Sequence, residues 1–187
     1  IMSVLIKDFL LEISEIFNLN MAVSLAVIEA LEKNNIPDLS IKWPNDILSA
    51  NKKIGGILIE NSIKSDGRIF SIVGLGLNVN QMNFEDLPKA SSLAAVTNRK
   101  FDKEILLQEI VAIIEKNIQE SKQNPISLRQ QFVAKLFKKG IPMPFTNQNN
   151  ENFMGIIQGV SQMGKLQILL ENDVVAEFDI KEIQMLY

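Results

Sequence analysis

Apolar residues occur along the first half of the chain in patterns that predict strands around a single helix. Residues 1–6 have the composition of a strand, whereas the apolar residues of 20–33 follow the spacing of a mostly buried helix. Four more apolar stretches follow, separated by turn residues at 51–52 and 66–67: 39–43, 46–50, 54–63 and 68–79. The pattern therefore predicts a sequential antiparallel meander after the helix.

The last stretch of this meander has apolar residues at both odd and even positions through residues 69–79, which predicts a central strand covered on both faces. A polar loop then leads to Asp102, the predicted N-cap of a long helix. Asn124 caps a second predicted helix, which has Pro125 at its first position and apolar residues as far as Leu136. We expect both helices to pack against the sheet.

Beyond Lys139 the chain is rich in turn residues and short apolar stretches. Turn signals lie at residues 162–164 and 172–173, between short predicted strands. We therefore expect two domains, a larger one of residues 1–139 and a small all-β unit of residues 140–187. The second is too small to be stable alone and is expected to dock on the first.

Composition removes several classes of chemistry. The chain contains no Cys and no His, which excludes thiol nucleophiles, zinc sites built on those residues and triads that use imidazole. A net charge of -3 gives no basic field for nucleic acid, and no apolar run has the length of a membrane span. We expect a soluble, cytoplasmic protein, and, because Ile1 already lies in a strand-like stretch, a further N-terminal portion before it.

Residues 42–46 form the densest group of polar and aromatic side chains in the meander. Pro44 removes a backbone donor and favours extended geometry at Trp43, so the strand must break or lie at an edge here. Such a break can direct Asn45 and Asp46 into a cleft. The alternative is an ordinary hairpin in which both side chains satisfy turn amides.

Lys53 precedes two adjacent glycines, Gly55 and Gly56, within a predicted strand. Glycines in a strand allow another backbone or a flat ligand to approach closely, and a lysine beside them could bind an anion. The alternative is an ordinary solvated turn at residues 52–53. A second pair, Gly74 and Gly76, lacks the third glycine and the following helix of a dinucleotide-binding motif.

Taken together, KWPND at residues 42–46, KKIGGILIE at 52–60 and GLGLNVN at 74–80 resemble the signature blocks of biotin protein ligases. The resemblance continues through Ser92 and Leu93, both helices and the C-terminal β unit. It implies an α+β fold related to class II aminoacyl-tRNA synthetases and lipoate ligases. This fold has a mixed, largely antiparallel sheet with helices packed on it and a small, barrel-like C-terminal all-β domain.

The resemblance also implies a reaction. Biotin and Mg-ATP would form biotinyl-5'-AMP, and a Lys of a biotin carboxyl carrier protein or domain of acetyl-CoA carboxylase would then accept the biotin. The cofactors implied are ATP and Mg²⁺, with biotin as substrate. Two alternatives are a lipoate or octanoyl ligase or transferase of the same superfamily, and a non-catalytic homologue that binds carrier domains through its sheet edge.

The residues that match the family's motifs receive the following implied roles. Lys53 is the expected cation for the biotin carboxylate and the adenylate phosphate. Asn45 and Asp46 are expected near the phosphates, with Asp46 either placing Mg²⁺ or accepting a proton. The expected contacts to biotin and adenylate are bare backbone at Gly55 and Gly56, apolar walls at Ile57 and Leu58, stacking on Trp43, a second cation at Lys42, and adenine or ribose contacts at Gly76 and Asn78.

Biotin protein ligases carry a Gly-Arg-rich loop upstream of the matched blocks, and this sequence does not contain it. Either the sequence is a fragment of an active ligase, or it is a shortened homologue that has lost efficient catalysis. We favour the fragment, because removing strands from a sheet exposes core surface and unpaired backbone. Family members are often dimers through sheet edges, so a homodimer is also an expectation.

Overall fold

The computed structural model describes residues 1–7 and 15–187 and has the predicted α+β fold. Its helices are α1 (Ile16–Lys33), α2 (Leu93–Thr97), α3 (Lys103–Gln123) and α4 (Pro125–Ala134). The first sheet contains β1 (Met2–Lys7), β2 (Leu39–Lys42), β3 (Asp46–Ser49), β4 (Lys52–Ile63) and β5 (Ile69–Leu77). The second contains β6 (Pro142–Asn147), β7 (Asn152–Val160), β8 (Leu166–Leu170), β9 (Val175–Phe178) and β10 (Ile183–Met185).

The first sheet has the strand order β1-β5-β4-β3-β2, and each described pair of neighbouring strands is antiparallel. Strands β2 to β5 are therefore the predicted meander, and β1 pairs with β5, which makes β5 internal. The second sheet has the order β10-β6-β7-β8-β9. Its hairpins contain the turns predicted at residues 162–164 and 172–173, which confirms the small all-β unit, whereas the boundary at residue 139 stays a prediction.

Helix α1 lies at the centre of the core and is apolar on most of its surface. Residues such as Met21, Val23 and Ile28 are almost completely buried. It packs on the first sheet through β2 and β4, while α3 and α4 make their main contacts with α1. The predicted packing on this sheet therefore holds for the start of α3, where Leu106 and Ile110 line a cavity together with Leu75 and Leu77 of β5, while the main contacts of both helices are with α1. An all-round apolar helix needs cover on its outer side as well, and these two helices provide it.

Local sequence signals locate the starts of α3 and α4 correctly. The Asp102 carboxylate accepts hydrogen bonds from the backbone N–H groups of Glu104 and Ile105, and the Asn124 side chain accepts one from Ser127. Helix α4 ends at Ala134 rather than extending to Leu136. The backbone leaves the helix there because Leu136 forms an isolated bridge with Ile41 of β2.

The two faces of the first sheet differ. One, the inner face, is covered by α1 and carries buried residues of β5 such as Val73 and Leu75. On the opposite, outer face Ile72 is 48% exposed. The prediction that β5 is covered on both faces is therefore wrong for the part of the chain that the structure describes. Gly74 and Gly76 follow Ile72 on this face. They count as apolar in the sequence pattern, but they have no side chain that has to be buried.

The second sheet shares a buried apolar core with the rest of the protein, and specific side-chain contacts add to it. The indole Nε1 of Trp43 donates a hydrogen bond of 2.8 Å to the carbonyl of Gly164, and the Arg129 guanidinium donates one to the carbonyl of Ser161. The ring of Phe137 packs edge-on against that of Tyr187, with centroids 5.0 Å apart. As for the membrane, none of the described helices has both the length and the hydropathy required to cross one.

Candidate active site

Three glycines on the outer face form a floor of bare backbone, which we call the glycine floor: Gly56, Gly74 and Gly76. Gly56 of β4 pairs with Gly76 of β5, and Leu58 of β4 pairs with Gly74, so all four positions lie on one face. A Cβ atom added at Gly74 or Gly76 would meet no atom closer than 3.6 Å and 3.9 Å, respectively. As far as the described residues show, the space next to Gly74 and Gly76 is therefore open.

A lysine and a carboxylate stand at one end of this floor. The Lys53 Nζ lies 2.6 Å from Asp46 Oδ1, and a Cβ added at Gly56 would lie 3.3 Å from each of these two atoms. The backbone of Lys53 is fixed on both sides, because its N–H donates to Lys89 and its carbonyl accepts from Ser91. The ammonium group is thus held beside the floor, while its side chain remains 48% exposed to a ligand.

Two more lysines and a tyrosine lie next to this pair. The Lys42 Nζ is 4.0 Å from Asp46 Oδ2 and 5.1 Å from the centroid of the Tyr187 ring. The Lys89 Nζ lies 4.5 Å from the same ring. Burial raises the pKa of the Tyr187 phenol above its ordinary value of 10.0, Asp46 adds to the rise, and Lys89 and Lys53 oppose it. The phenol is therefore neutral at physiological pH.

The two predicted amides brace the strands around the floor. The Asn45 side chain donates to the backbone carbonyl of Ile57 at 2.5 Å, and the backbone carbonyl of Asn45 accepts from the Ile57 N–H at 2.9 Å. The Asn78 side chain donates to the backbone carbonyl of Ser91 at 2.9 Å, and the backbone N–H of Asn78 donates to the carbonyl of Ile54. Both amides hold backbone segments that carry site residues, rather than standing free above the floor.

Trp43 does not lie where the sequence predicts. It is only 6% exposed, and the hydrogen bond of its indole to Gly164 is buried, so the ring cannot act as an open stacking surface in this structure. The Trp43–Pro44 peptide bond is cis, and the carbonyl of Pro44 accepts from Asn20 at 2.8 Å. The tryptophan links the two sheets because its apolar ring is buried between them.

Strand alternation also corrects two neighbouring predictions. Ile57 is 2% exposed and faces the core, so of the two predicted apolar walls only Leu58, which is 62% exposed, lies on the outer face. Gly55 likewise faces away from Gly56. A Cβ at Gly55 would lie 2.9 Å from the carbonyl oxygen of Gly76, so this glycine permits close strand packing rather than ligand contact.

The described residues provide too few ligands to hold a metal ion without a nucleotide. They contain no group of three or more Asp, Glu, His or Cys side chains that could hold one. Within residues 1–7 and 15–187, Asp46 is the single carboxylate in contact with Lys53 and Lys42. One carboxylate fits Mg²⁺ only if substrate phosphates provide most of the other ligands, which is how Mg²⁺ commonly binds in nucleotide sites.

Sequence reasoning missed Lys89 and Tyr187. Lys89 lies in a polar loop, and Tyr187 follows β10 of the second sheet. Nothing in the local pattern of either segment indicates a site. The fold brings them together because the second sheet packs beside β2 of the first.

Comparisons with known proteins agree on one family. The sequence profile of the Biotin/lipoate A/B protein ligase family matches residues 1–80. The chain is 36% identical over 106 residues to the bifunctional ligase/repressor BirA of Bacillus subtilis, an alignment that covers 54% of this chain and 33% of that protein. It is 30% identical over 155 residues to the biotin–(acetyl-CoA-carboxylase) ligase of Mycobacterium tuberculosis, covering 79% of this chain and 55% of that protein.

A solved structure shows the same likeness in three dimensions. The biotin protein ligase of Aquifex aeolicus in complex with biotin and ATP superposes with a TM-score of 0.78 and 26% identity, covering 98% of this chain and 76% of that one. A mutant form of the same ligase, in complex with biotin, also gives a TM-score of 0.78, with 27% identity over 98% of this chain and 76% of that one. Against the two curated proteins, the matched part spans 33% and 55% of their length.

Proposed function

The chain belongs to the biotin protein ligase family, and on that premise we propose that the protein containing it activates biotin with ATP and transfers it to a lysine of a biotin carboxyl carrier protein. One observation carries this proposal. The Lys53 ammonium lies beside the glycine floor, 2.6 Å from Asp46, on the face of the sheet that α1 does not cover.

The floor suits a flat, largely apolar substrate with one charged end. Fused rings can lie on the backbone of Gly74 and Gly76, because no atom of the described residues lies closer than 3.6 Å to a Cβ position at either glycine. The exposed side chain of Leu58 provides an apolar contact in the same row. Lys53 at the end of the floor is then in place to bind the carboxylate of the substrate.

The first chemical step joins two anions and therefore needs a cation between them. An oxygen of the biotin carboxylate bonds to the α-phosphorus of ATP, the bond from that phosphorus to the bridging oxygen breaks, and pyrophosphate leaves with the electron pair. Lys53 lowers the repulsion between carboxylate and phosphate and stabilises the charge that develops at the phosphorus. Asp46 holds the ammonium in position through the 2.6 Å contact.

In the second step the neutral amine of the carrier lysine attacks the acyl carbon of biotinyl-5'-AMP. The acyl carbon–oxygen bond breaks, AMP leaves, and the attacking nitrogen loses one proton. Asp46 is in contact with Lys53 and can accept that proton once the ion pair has loosened. The alternative role of Asp46 is to help hold a Mg²⁺ ion that would enter with ATP and would neutralise phosphate charge; the second carboxylate oxygen of Asp46, Oδ2, lies 4.0 Å from Lys42 Nζ.

The test is biotin-dependent exchange of labelled pyrophosphate into ATP, measured with the natural protein that contains this chain. We expect exchange with biotin, transfer of biotin to a carrier domain, and a loss of about 10²–10³-fold in exchange for Lys53→Gln. Lys52→Gln is the matched control, because it removes the adjacent exposed lysine and leaves Lys53 and Asp46 unchanged. Absence of exchange in the unsubstituted protein, or equal exchange in both variants, contradicts the proposal.

A second substrate remains as an alternative because the matching family profile includes lipoate ligases. Competition distinguishes the two: lipoate should fail to reduce biotin-dependent exchange if biotin is the substrate. A non-catalytic carrier-binding module would instead bind the carrier domain without ATP and tolerate the loss of Lys53. The identity of the carrier, a homodimer and a cytoplasmic location stay predictions.

A further inference from the structure

The ring of Tyr187 is in contact with two lysines from distant parts of the chain. Lys42 at the end of β2 and Lys89 in the loop before α2 place their ammonium groups 5.1 Å and 4.5 Å from its centroid. Both distances are within the range of a cation–π interaction, in which the negative face of an aromatic ring attracts a cation. A single aromatic side chain thus limits the positions of two long, flexible lysines.

The charges around this ring are not balanced. Lys42, Lys53 and Lys89 bring three ammonium groups, and Asp46 brings the carboxylate that contacts two of them. Among the described residues, no carboxylate oxygen lies within 4.0 Å of Lys89. Converging cations cost stability through mutual repulsion unless an anion joins them. The cluster has the charge of an anion-binding site next to Lys53.

Tyr187 is held in place by the second sheet. The N–H of Leu186 donates to the carbonyl of Pro144 in β6 at 3.0 Å, and the ring packs edge-on against Phe137. The second sheet therefore brings a rigid aromatic group to the lysines of the first sheet. A ring that is fixed from one side can orient the lysines without itself touching the ligand.

We propose that Lys42 and Lys89, positioned by the Tyr187 ring, form a subsite for the pyrophosphate end of the nucleotide, beside the α-phosphate position at Lys53. The assignment rests on the proposed function, because a leaving pyrophosphate exists only if the site makes an adenylate. Its chemistry fits: pyrophosphate carries several negative charges, and cations that bind it as it forms stabilise the leaving group. Tyr187 is a positioning residue in this scheme, and Lys42 and Lys89 bind the ligand.

The experiment titrates inorganic pyrophosphate into the natural protein without biotin, by calorimetry at low salt. We expect Lys89→Gln and Tyr187→Leu each to weaken pyrophosphate binding roughly 3- to 10-fold. Tyr187→Phe keeps the ring and should recover most of the affinity that Tyr187→Leu loses. The matched control is Lys64→Gln, because Lys64 also lies over an aromatic ring, 5.3 Å from the centroid of Phe70, but at the opposite end of β4.

Kinetics give a second readout that a merely structural role of Tyr187 would not produce. Tyr187→Leu should raise the KM for ATP and leave the KM for biotin within about two-fold, because the glycine floor is unchanged. Melting temperatures of all variants check that they fold. Lys89→Arg keeps the positive charge and should retain most of the pyrophosphate affinity that Lys89→Gln loses, because the site requires that charge.

Equal pyrophosphate affinity in unsubstituted protein, Lys89→Gln and Tyr187→Leu overturns the subsite. A change confined to the KM for the carrier domain also overturns it, because the cluster would then bind an acidic protein surface. The two proposals fail separately: pyrophosphate binding is measured without biotin, so a protein that shows the expected affinities but no exchange would refute the proposed function and leave the anion subsite standing.

Discussion

The inner and outer faces of the first sheet are built from the same strands and serve different purposes. On the inner face Ile47, Ile57 and Val73 are buried against α1. On the outer face Asp46, Gly56 and the exposed Leu58 occupy the alternate positions. The inner face accounts for stability through the burial of apolar surface, and the outer face gives up that burial for a flat, charged site.

Adjacent residues on β4 show how sharp this division is. Ile57 is 2% exposed and Leu58 is 62% exposed, although both are aliphatic and follow the same two glycines. Because side chains alternate along a strand, neighbouring residues face opposite sides of the sheet, one towards the core and the next towards the site. Substitutions on neighbouring positions should therefore separate stability from activity.

The largest expected effect is on the inner face. Ile57→Ala should lower the free energy of unfolding by about 2–4 kcal/mol, because it leaves a cavity in a packed core. Leu58→Ala should cost less than about 1 kcal/mol, because most of its side chain is already in water, and it should raise the KM for biotin. Denaturant unfolding and exchange kinetics measure the two quantities. Equal losses of stability in both variants would contradict the assignment of faces.

The two adjacent glycines provide the next test. In Gly55→Ala the new Cβ would lie 2.9 Å from the carbonyl oxygen of Gly76, a backbone atom that cannot move freely, so we expect a loss of about 1–3 kcal/mol in stability. In Gly56→Ala the new Cβ would lie 3.3 Å from Lys53 Nζ and Asp46 Oδ1.

For Gly56→Ala we expect roughly ten-fold slower adenylate formation, which corresponds to about 1.4 kcal/mol, with smaller damage to folding. The displaced ion pair is the cause. Thermal unfolding and pyrophosphate exchange of both variants, each measured beside the unsubstituted protein, give the comparison. A Gly56→Ala protein with full activity would show that the position of Lys53 does not depend on this contact.

The smallest expected effect concerns an ion pair away from the outer face. Burial alone would raise the pKa of Glu29 on α1, but its contacts with Lys33 at 2.9 Å and Lys116 at 3.5 Å outweigh burial and lower it below its ordinary value of 4.5. A carboxylate with a lowered folded-state pKa stabilises the fold above its unfolded pKa. That stabilisation is lost as the pH falls through the folded pKa.

Glu29→Gln should therefore cost about 0.2–1 kcal/mol at pH 7, and the difference should shrink between about pH 6 and about pH 3. Exchange activity should not change, because the described contacts of the Glu29 carboxylate are with Lys33 of α1 and Lys116 of α3. Glu85→Gln, in the exposed loop before α2, is the control for removing one negative charge. A pH-independent difference would mean that the ion pairs do not act through the carboxylate charge.

The elements that the sequence predicted well depend on neighbouring residues. Asp102 and the pair Asn124–Pro125 mark helix starts through contacts within one turn, and the meander follows from apolar stretches between turn residues. Lys53, Asp46 and Gly56 lie together, as the resemblance implied, because β3 and β4 are adjacent in both sequence and sheet.

The errors concern contacts between distant parts of the chain. The sequence around Trp43 predicts a stacking surface for a ligand. In the fold, however, the indole is buried and donates a hydrogen bond to Gly164, which lies 121 positions away in the sequence. Tyr187 carries no local signal, yet it lies against Lys42 and Lys89. The sequence of β5 has apolar residues at both odd and even positions, but two of these residues are glycines without a side chain. The pattern therefore could not show that the outer face of β5 is exposed.

The most direct measurement is a crystal structure of the natural protein with biotin and ATP bound. We predict biotinyl-5'-AMP with its rings over Gly74 and Gly76, and an oxygen of the acyl phosphate within about 3 Å of Lys53 Nζ. The account is contradicted if the adenylate lies elsewhere, such as in the cavity of about 750 Å³ beside Phe153 and Phe178 of the second sheet, with the Lys53 ammonium turned away into solvent.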